Sequence, residues 1–456
     1  MQIALINTNR MQPPIAPIGL DYIAEALTAA GHLPVLLDLT WEENAQSAVE
    51  RFFDKSSFGL VGMTLRNTDD CSYLNCQTFL PGFIELVRCV RKCTNAPIVL
   101  GGVGFSVMPE KILAMTESTW GIWGEGEFAI ADLATRLEEG REWRDLPSLI
   151  WFDDEKWRRN APRWRSLGDL PVMTRRFVDN PRYFHEGGQA GFETKRGCSA
   201  ACIYCADPPA KGKFIRVRPP AAVADELENL IGQGITALHT CDGEFNVPPW
   251  HALDVCREII RRSLGSRMRW YAYCSPAGFS PELAALMRRA GCVGIDFGAD
   301  NGNEEMLKTL GRDFLPADIL NCTRWAKEEG MAVMLDLLLG GPGETRASLQ
   351  QTVELMKQAD PDRVGVTLGV RIYPGTAIDA RFGSGDPLHP RFFLEPQVTP
   401  CIFELLGSLI GDDSRFLFLD PSKPAQNYNY NSNQRLVDAI RQGHRGAFWD
   451  ILRTYT

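Results

Sequence analysis

Short apolar runs recur along the first part of the chain, at Gln2–Asn7, at Leu33–Asp38 and over residues 58–64, 97–101 and 119–124. Each is short enough for a strand buried on both faces, as parallel strands are. Between them, apolar residues recur at three and four, as over 19–30 and 79–93, the spacing of an amphipathic helix. Five strands alternating with helices predict an α/β domain over residues 1–140, doubly wound and flavodoxin-like or Rossmann-like. Such a domain takes its ligand beyond the carboxyl ends of its strands.

The alternation lapses over residues 141–185, a stretch rich in Trp, Pro and basic residues that includes Lys156, Arg158, Arg159, Arg163, Arg165, Arg175 and Arg176. It reads as a linker with a solvated charged face rather than a nucleic-acid surface. From 186 to 380 the alternation resumes. Strand-like runs at 191–197, 237–245, 269–275, 293–299, 332–340 and 363–373 are separated by helical stretches. Six βα units are too few for a closed eight-fold barrel, so they predict an open, partial (β/α)6 barrel with its active face at the strand ends. Residues 381–456 read as a small C-terminal cap, whose Tyr428 and Tyr430 are expected to help close the pocket.

Composition narrows the class without naming the chemistry. A chain of 456 residues exceeds what one core usually serves, and 45% hydrophobic with 23% charged residues is ordinary for a globular protein. The net charge of -9 exerts no pull toward nucleic acid or an anionic membrane. There is no apolar run of membrane-spanning length and no signal-peptide pattern at Met1, so a cytoplasmic location is expected. Thirteen scattered cysteines, an odd number, do not make a secreted disulfide scaffold. Four of them, Cys71, Cys76, Cys89 and Cys93, raise the question of a cluster in the first domain. The last two fall four apart on one predicted helix, which favours buried packing.

The chemistry concentrates after the first barrel strand, in Cys198-Ser199-Ala200-Ala201-Cys202-Ile203-Tyr204-Cys205. Three thiolates within eight residues, on a loop opened by Gly197, suit an iron–sulfur cluster and leave one iron open. Three unrelated core cysteines, or a zinc knuckle lacking its fourth ligand, fit the spacing and position less well.

At these residues the chain resembles the radical S-adenosylmethionine (SAM) superfamily, whose cysteine signature has the same gaps and an aromatic residue where Tyr204 stands. The resemblance implies a [4Fe-4S] cluster on Cys198, Cys202 and Cys205, with SAM at the open iron. It further implies SAM contacts at Asp242 and Glu244, in a turn where the family keeps Gly-Gly-Glu and this chain has Asp242-Gly243-Glu244. Gly340 and Gly341 resemble a turn that packs near adenine, and Asp296 and Asp300 are candidate ribose contacts.

The first domain adds Gly101-Gly102-Val103-Gly104 and Gly124-Glu125-Gly126-Glu127 at successive strand ends. With Pro13–Leu20 before them, in this order ahead of the barrel, these segments resemble the cobalamin-binding-domain subclass, and Ala206-Asp207-Pro208, residues 241–246 and residues 369–376 are closest to its methyltransferases, including the tryptophan-methylating type. The subclass implies cobalamin near Gly101, Gly102, Gly124 and Glu125. The Asp-x-His-x-x-Gly motif that supplies a histidine to cobalt is missing, and the domain's one histidine, His32, reads as a solvated loop residue. Arg66 is placed either under the corrin or in a pair with Asp69 or Asp70.

The implied activity is methyl transfer from SAM, via cobalamin, to a carbon of a small-molecule substrate, by a radical or a polar route. The alternatives are a radical SAM oxidoreductase, lyase or rearrangement enzyme that does not methylate, and a non-catalytic cluster- or corrin-binding module. Tyr273, Arg371 and Tyr373, near strand ends, are the candidate substrate contacts. Lys211, Lys213, Arg216 and Arg218 either orient a carboxylate, receive a flavodoxin-type or ferredoxin-type electron donor, or form a solvated turn.

Overall fold

The opening run is buried from Ile3 onward, which only a strand walled on both faces permits. The computed structural model describes residues 1–418 and 429–455, and places this run, β1 (Gln2–Asn7), inside a sheet. It pairs in parallel with β2 (Leu33–Asp38) and β3 (Leu60–Thr64), and β4 (Ile98–Gly101) and β5 (Trp120–Ile122) follow. The order β2-β1-β3-β4-β5 is doubly wound and flavodoxin-like, with its switch point between β1 and β3. A ligand crevice therefore opens beyond Asn7 and Thr64.

Residues 141–185 are not a linker throughout. β6 (Leu149–Asp153) runs antiparallel to β5, and β7 (Lys156–Arg159) antiparallel to β6, so a hairpin extends the first sheet. β7 is mostly exposed, which left no apolar alternation to detect. Nor is Arg175 solvated. It is fully buried, with Nε 2.9 Å from Asp21 Oδ2 and Nη1 2.7 Å from Glu226 Oε1. Arg218 also pairs with Glu226 and donates to the Tyr22 hydroxyl at 3.0 Å. Asp21 and Tyr22 belong to the first domain and Glu226 to the second, so a buried polar network fixes the two together.

In the second domain β8 (Ala190–Phe192) is followed by a short hairpin of β9 (Lys195–Arg196) and β10 (Arg216–Val217). Then come β11 (Ala237–Thr240), β12 (Arg269–Cys274), β13 (Cys292–Asp300), β14 (Ala332–Leu339) and β15 (Arg363–Leu368). A second hairpin, β16 (Val370–Arg371) with β17 (Phe392–Phe393), precedes β18 (Phe416–Phe418). Seven strands form one parallel sheet in the order β18-β15-β14-β13-β12-β11-β8. The open barrel thus has one strand more than the expected six, and the extra strand comes from the segment read as a cap.

The rest of that segment joins both domains. Trp449, on the helix Phe448–Thr454, buries against Tyr271 and Met334 near the starts of the barrel strands. Upstream, Asn429 Nδ2 donates to Ser72 Oγ at 3.1 Å, Asn431 Nδ2 to Gln77 Oε1 at 2.9 Å, and the Ser432 N–H to the Gln12 carbonyl at 2.7 Å. These three contacts strap the first domain's loops. Tyr428 lies outside the described residues.

Candidate active site

The cysteine loop leaves the barrel at Gly197, whose φ is +85° and where a Cβ would lie 2.1 Å from the Phe214 carbonyl oxygen. No other residue fits such a turn. The Cys198 N–H donates to the Gly212 carbonyl at 3.1 Å and the Ile203 N–H to the Leu310 carbonyl at 3.0 Å, pinning both ends of the loop. Cys198, Cys202 and Cys205 line one cavity of about 200 Å³ together with Glu244, Tyr273, Asp296, Arg312 and Asp336. Among the described residues no three His, Cys, Asp or Glu are grouped to hold a single metal ion; here the three thiols stand around a volume. An all-sulfur donor set around a cavity fits an iron–sulfur cluster. Burial pushes the three thiols upward, Cys205 to about 12, so metal must displace their protons.

Arg312 is the site residue that motif reading missed. Its Nη1 lies 3.1 Å from Cys202 Sγ and its Nη2 3.0 Å from both Glu244 Oε1 and the Gly298 carbonyl oxygen. Nε is 3.4 Å from Asp300 Oδ2, which also accepts from the Tyr204 hydroxyl. Burial alone would lower this guanidinium's pKa, but Asp300, Tyr204, Cys202 and Glu244 outweigh it and hold the group charged. The helix Glu304–Leu310 delivers Arg312 through Gly311, which rests against the Ala201 carbonyl oxygen. No local signal marks a lone arginine after a helix.

The other barrel candidates separate into two groups. Glu244, Tyr273, Asp296 and Asp300 line the cavity. Asp242 does not: its oxygens accept from the Thr194 N–H at 2.9 Å, the Thr194 hydroxyl at 2.6 Å and the Lys195 N–H at 3.2 Å. It braces the strand that feeds the cluster loop. Gly340 and Gly341 are explained by packing, since a Cβ at Gly340 would meet Leu394 at 2.1 Å and one at Gly341 would meet Leu310 at 3.1 Å. Arg371 and Tyr373 are likewise engaged elsewhere. Arg371 Nη2 and Nε bind Asp69 at 2.8 and 3.1 Å, and the Tyr373 hydroxyl shares a hydrogen bond with Cys71 Sγ at 3.0 Å. Both therefore hold the domains together rather than face the cavity.

In the first domain, Arg66 follows β3 at the switch point. It pairs with neither Asp69, which is taken by Arg371, nor Asp70, which accepts from the Ser72 and Gln77 N–H groups. Its contacts are Asn67 Oδ1 at 3.3 Å and Met11 Sδ at 3.8 Å, and it makes no ion pair among the described residues. Burial lowers its pKa, and Tyr430, Cys241 and Tyr273 face it. Gly102, at φ +101°, lets the ends of β3 and β4 meet; a Cβ there would lie 2.5 Å from the Leu65 carbonyl oxygen. Gly101 ends β4, with the 44% exposed Val103 two residues on, and Gly124, two residues after β5, packs against Trp164. A half-buried cation with no ion pair among the described residues, and the exposed Val103 nearby in the same domain, fit a large flat ligand such as cobalamin.

Three expectations are corrected. Glu125 is not open to a ligand, because Arg216 pairs with it at 2.6 Å and Arg196 lies 3.6 Å away. His32 is buried, meeting the Met1 amine at 3.2 Å and Thr135 Oγ1 at 3.0 Å. Of the basic residues after the cluster loop, Lys211 pairs with Asp207 at 2.9 Å, Arg216 with Glu125 and Arg218 with Glu226, so only Lys213 stays exposed. Cys89 and Cys93 pack against the first domain's core.

Residues 192–356 match the Radical SAM superfamily and residues 5–134 the B12 binding domain. Tryptophan 2-C-methyltransferase of Streptomyces laurentii is 34% identical over 441 residues, covering 82% of this chain and 73% of the relative. The methyltransferase TsrM of Kitasatospora setae, solved with tryptophan and a SAM analogue bound, superposes with a TM-score of 0.90 at 29% identity, over 99% of this chain and 97% of that one. The same enzyme solved with cobalamin and a [4Fe-4S] cluster gives a TM-score of 0.90 at 27% identity, over the same shares. With both domains matched in order and a characterised relative covered over most of its length, the chain belongs to the cobalamin-dependent radical SAM methyltransferases, which use a [4Fe-4S] cluster, SAM and cobalamin to methylate a carbon centre.

Proposed function

We propose that the substrate is tryptophan or a closely related indole amino acid, methylated at C2 of the indole. The observation that carries this reading is one cavity that holds the cluster thiols at one end and Tyr273, facing Arg66 of the cobalamin-type domain, at the other. Its support from relatives is the activity named for the Streptomyces laurentii enzyme and the tryptophan bound to the Kitasatospora setae enzyme. When bound, SAM supplies the methyl group, cobalamin relays it and the cluster supplies electrons or a radical.

The chain's own residues supply position and exclusion of water. Cys198, Cys202 and Cys205 would hold three irons, and Glu244, fixed by Arg312, would meet the amino group of SAM. Arg66 would lie against the bound corrin and bring a positive charge to it, and Gly101, Gly102 and Gly124 would admit the ring edge. Tyr273 leaves 41% of its surface uncovered, and this ring offers a flat wall for an indole.

Electrons come from a reduced flavodoxin-type or ferredoxin-type protein. Lys213 and Phe214, the latter 78% exposed, sit on the loop whose Gly212 carbonyl binds the cysteine loop, and they give such a donor a basic and apolar foothold. All thirteen cysteines are free and no helix among the described residues is long and apolar enough to cross a membrane, in keeping with a reducing cytoplasm.

The test is anaerobic turnover of cluster- and cobalamin-loaded protein with methyl-labelled SAM and tryptophan. Label at C2 of the product is expected. Methyl transfer to no position of any indole amino acid overturns the reading.

A further inference from the structure

We propose that Glu125 and Trp164 are positioning residues that tie the corrin seat of the first domain to the cluster loop of the barrel, so that cobalamin binds more tightly once the cluster is in place. The cluster loop springs from a hairpin with an electrostatic fault. β9 and β10 set Arg196 directly opposite Arg216, and like charges facing one another across two strands repel. The first domain corrects this. Glu125 lies 2.6 Å from Arg216 Nη1 and 3.6 Å from Arg196 Nη1, and Glu127 lies 2.7 Å from Arg196 Nη2. Glu193, beside the hairpin, also pairs with Arg196, but among the described residues Arg216 has its ion pair with Glu125 alone.

Trp164 makes the second tie. A Cβ at Gly124 would lie 3.1 Å from Trp164 Cη2 and one at Gly212 would lie 3.2 Å from its Cε2, so the indole bridges the two glycines. Arg216 stands over the same ring, with Cζ 4.9 Å from the centroid. Each glycine passes the restraint on. The Gly124 N–H donates to Ser106 Oγ at 2.9 Å, and that hydroxyl donates to the Gly102 carbonyl at 2.8 Å, which joins two of the turns proposed to admit the corrin. The Gly212 carbonyl accepts from the Cys198 N–H at 3.1 Å, and Arg216 Nη2 donates to the Lys211 carbonyl at 2.9 Å.

The turn over residues 124–127 therefore grips the cluster loop on both sides, at Arg196 before Cys198 and at Gly212 and Arg216 after Cys205. Ordering one turn orders the other. The cofactor that arrives first fixes both, and the second meets a seat already set, which makes its binding tighter. By linkage the gain in affinity is the same in either order. The inference rests on the placement of cobalamin beside Gly101, Gly102 and Gly124 proposed above.

Anaerobic calorimetric titration of the full chain with hydroxocobalamin tests it, once with the cluster in place and once without. The cluster-loaded wild type should bind about fivefold or more tightly than the cluster-free chain. Glu125→Gln removes the charge between the arginines, and Trp164→Phe keeps a ring under Arg216 but is too short to span both glycines. Each should bring the ratio of affinities to within about twofold while both cofactors still bind. Simple destabilisation would weaken both affinities and leave the ratio alone. Iron release to a chelator gives a second readout, slowed by cobalamin in the wild type and not in the variants. A wild-type ratio within about twofold, or variants that keep the wild-type ratio, overturns the tie. If one variant takes up no cluster, the other decides; if neither does, the residues are needed for the loop to form at all and the tie falls. A wild type that binds no cobalamin in either state overturns the corrin placement together with the tie.

Discussion

Arg312 touches a cluster thiol and two carboxylates from one guanidinium, and a fixed positive charge there favours the more negative, reduced cluster. Arg312→Gln should therefore lower the midpoint potential of the reconstituted cluster, read by potentiometric titration with spectroscopic detection. An unchanged midpoint would mean the hydrogen bond to Cys202 Sγ is lost once iron binds. Cys202→Ala should fail to retain a full [4Fe-4S] complement by iron and sulfide analysis. His239 provides a pH signature. Burial pushes its pKa down from 6.5 to about 4, so the unfolded chain binds the proton more readily within that window. Stability should then rise by about 3 kcal/mol as pH climbs from about 4 to about 6.5. His239→Gln should remove that slope from denaturation curves measured across the window. At this scale the three cysteines were legible because their spacing is local. Arg312 and Arg371 were not, since the partners that define them, Cys202 and Asp69, lie 110 and 302 residues away.

Among the elements, the buried parallel strands declared themselves as apolar runs, and β1 and β2 match the structure residue for residue. β7 and β18 did not. The exposed Lys156–Arg159 strand carries three basic residues, and Phe416–Phe418 is three residues long, too short for periodicity to register. The cluster loop depends on the backbone at Gly197 more than on any side chain in it. Gly197→Ala adds a Cβ against the Phe214 carbonyl oxygen and forces an unfavourable φ, a cost of about 1–3 kcal/mol. The expected result is a lower melting temperature together with reduced iron content. Wild-type iron content would show that the loop can take another path.

For the whole molecule, the domains meet through polar contacts that the sequence could not announce. Asp21, Arg175, Arg218 and Glu226 look like ordinary surface charges, and Tyr22 like an ordinary helix aromatic, until the fold gathers them. Arg175→Met leaves Asp21 and Glu226 short of a partner in a dry interior, and breaking a buried pair from one side costs about 3–5 kcal/mol. A thermal unfolding midpoint like that of the wild type would show that the remaining partners suffice. The strap at Asn429, Asn431 and Ser432 has a different kind of consequence, one of timing. It grips loops of the first domain, while Trp449, shortly after it, fills the base of the barrel, so Tyr430 reaches its place beside Arg66 only when this segment has been synthesised. The surroundings of Arg66 are therefore a late product of synthesis rather than a property of the first domain alone.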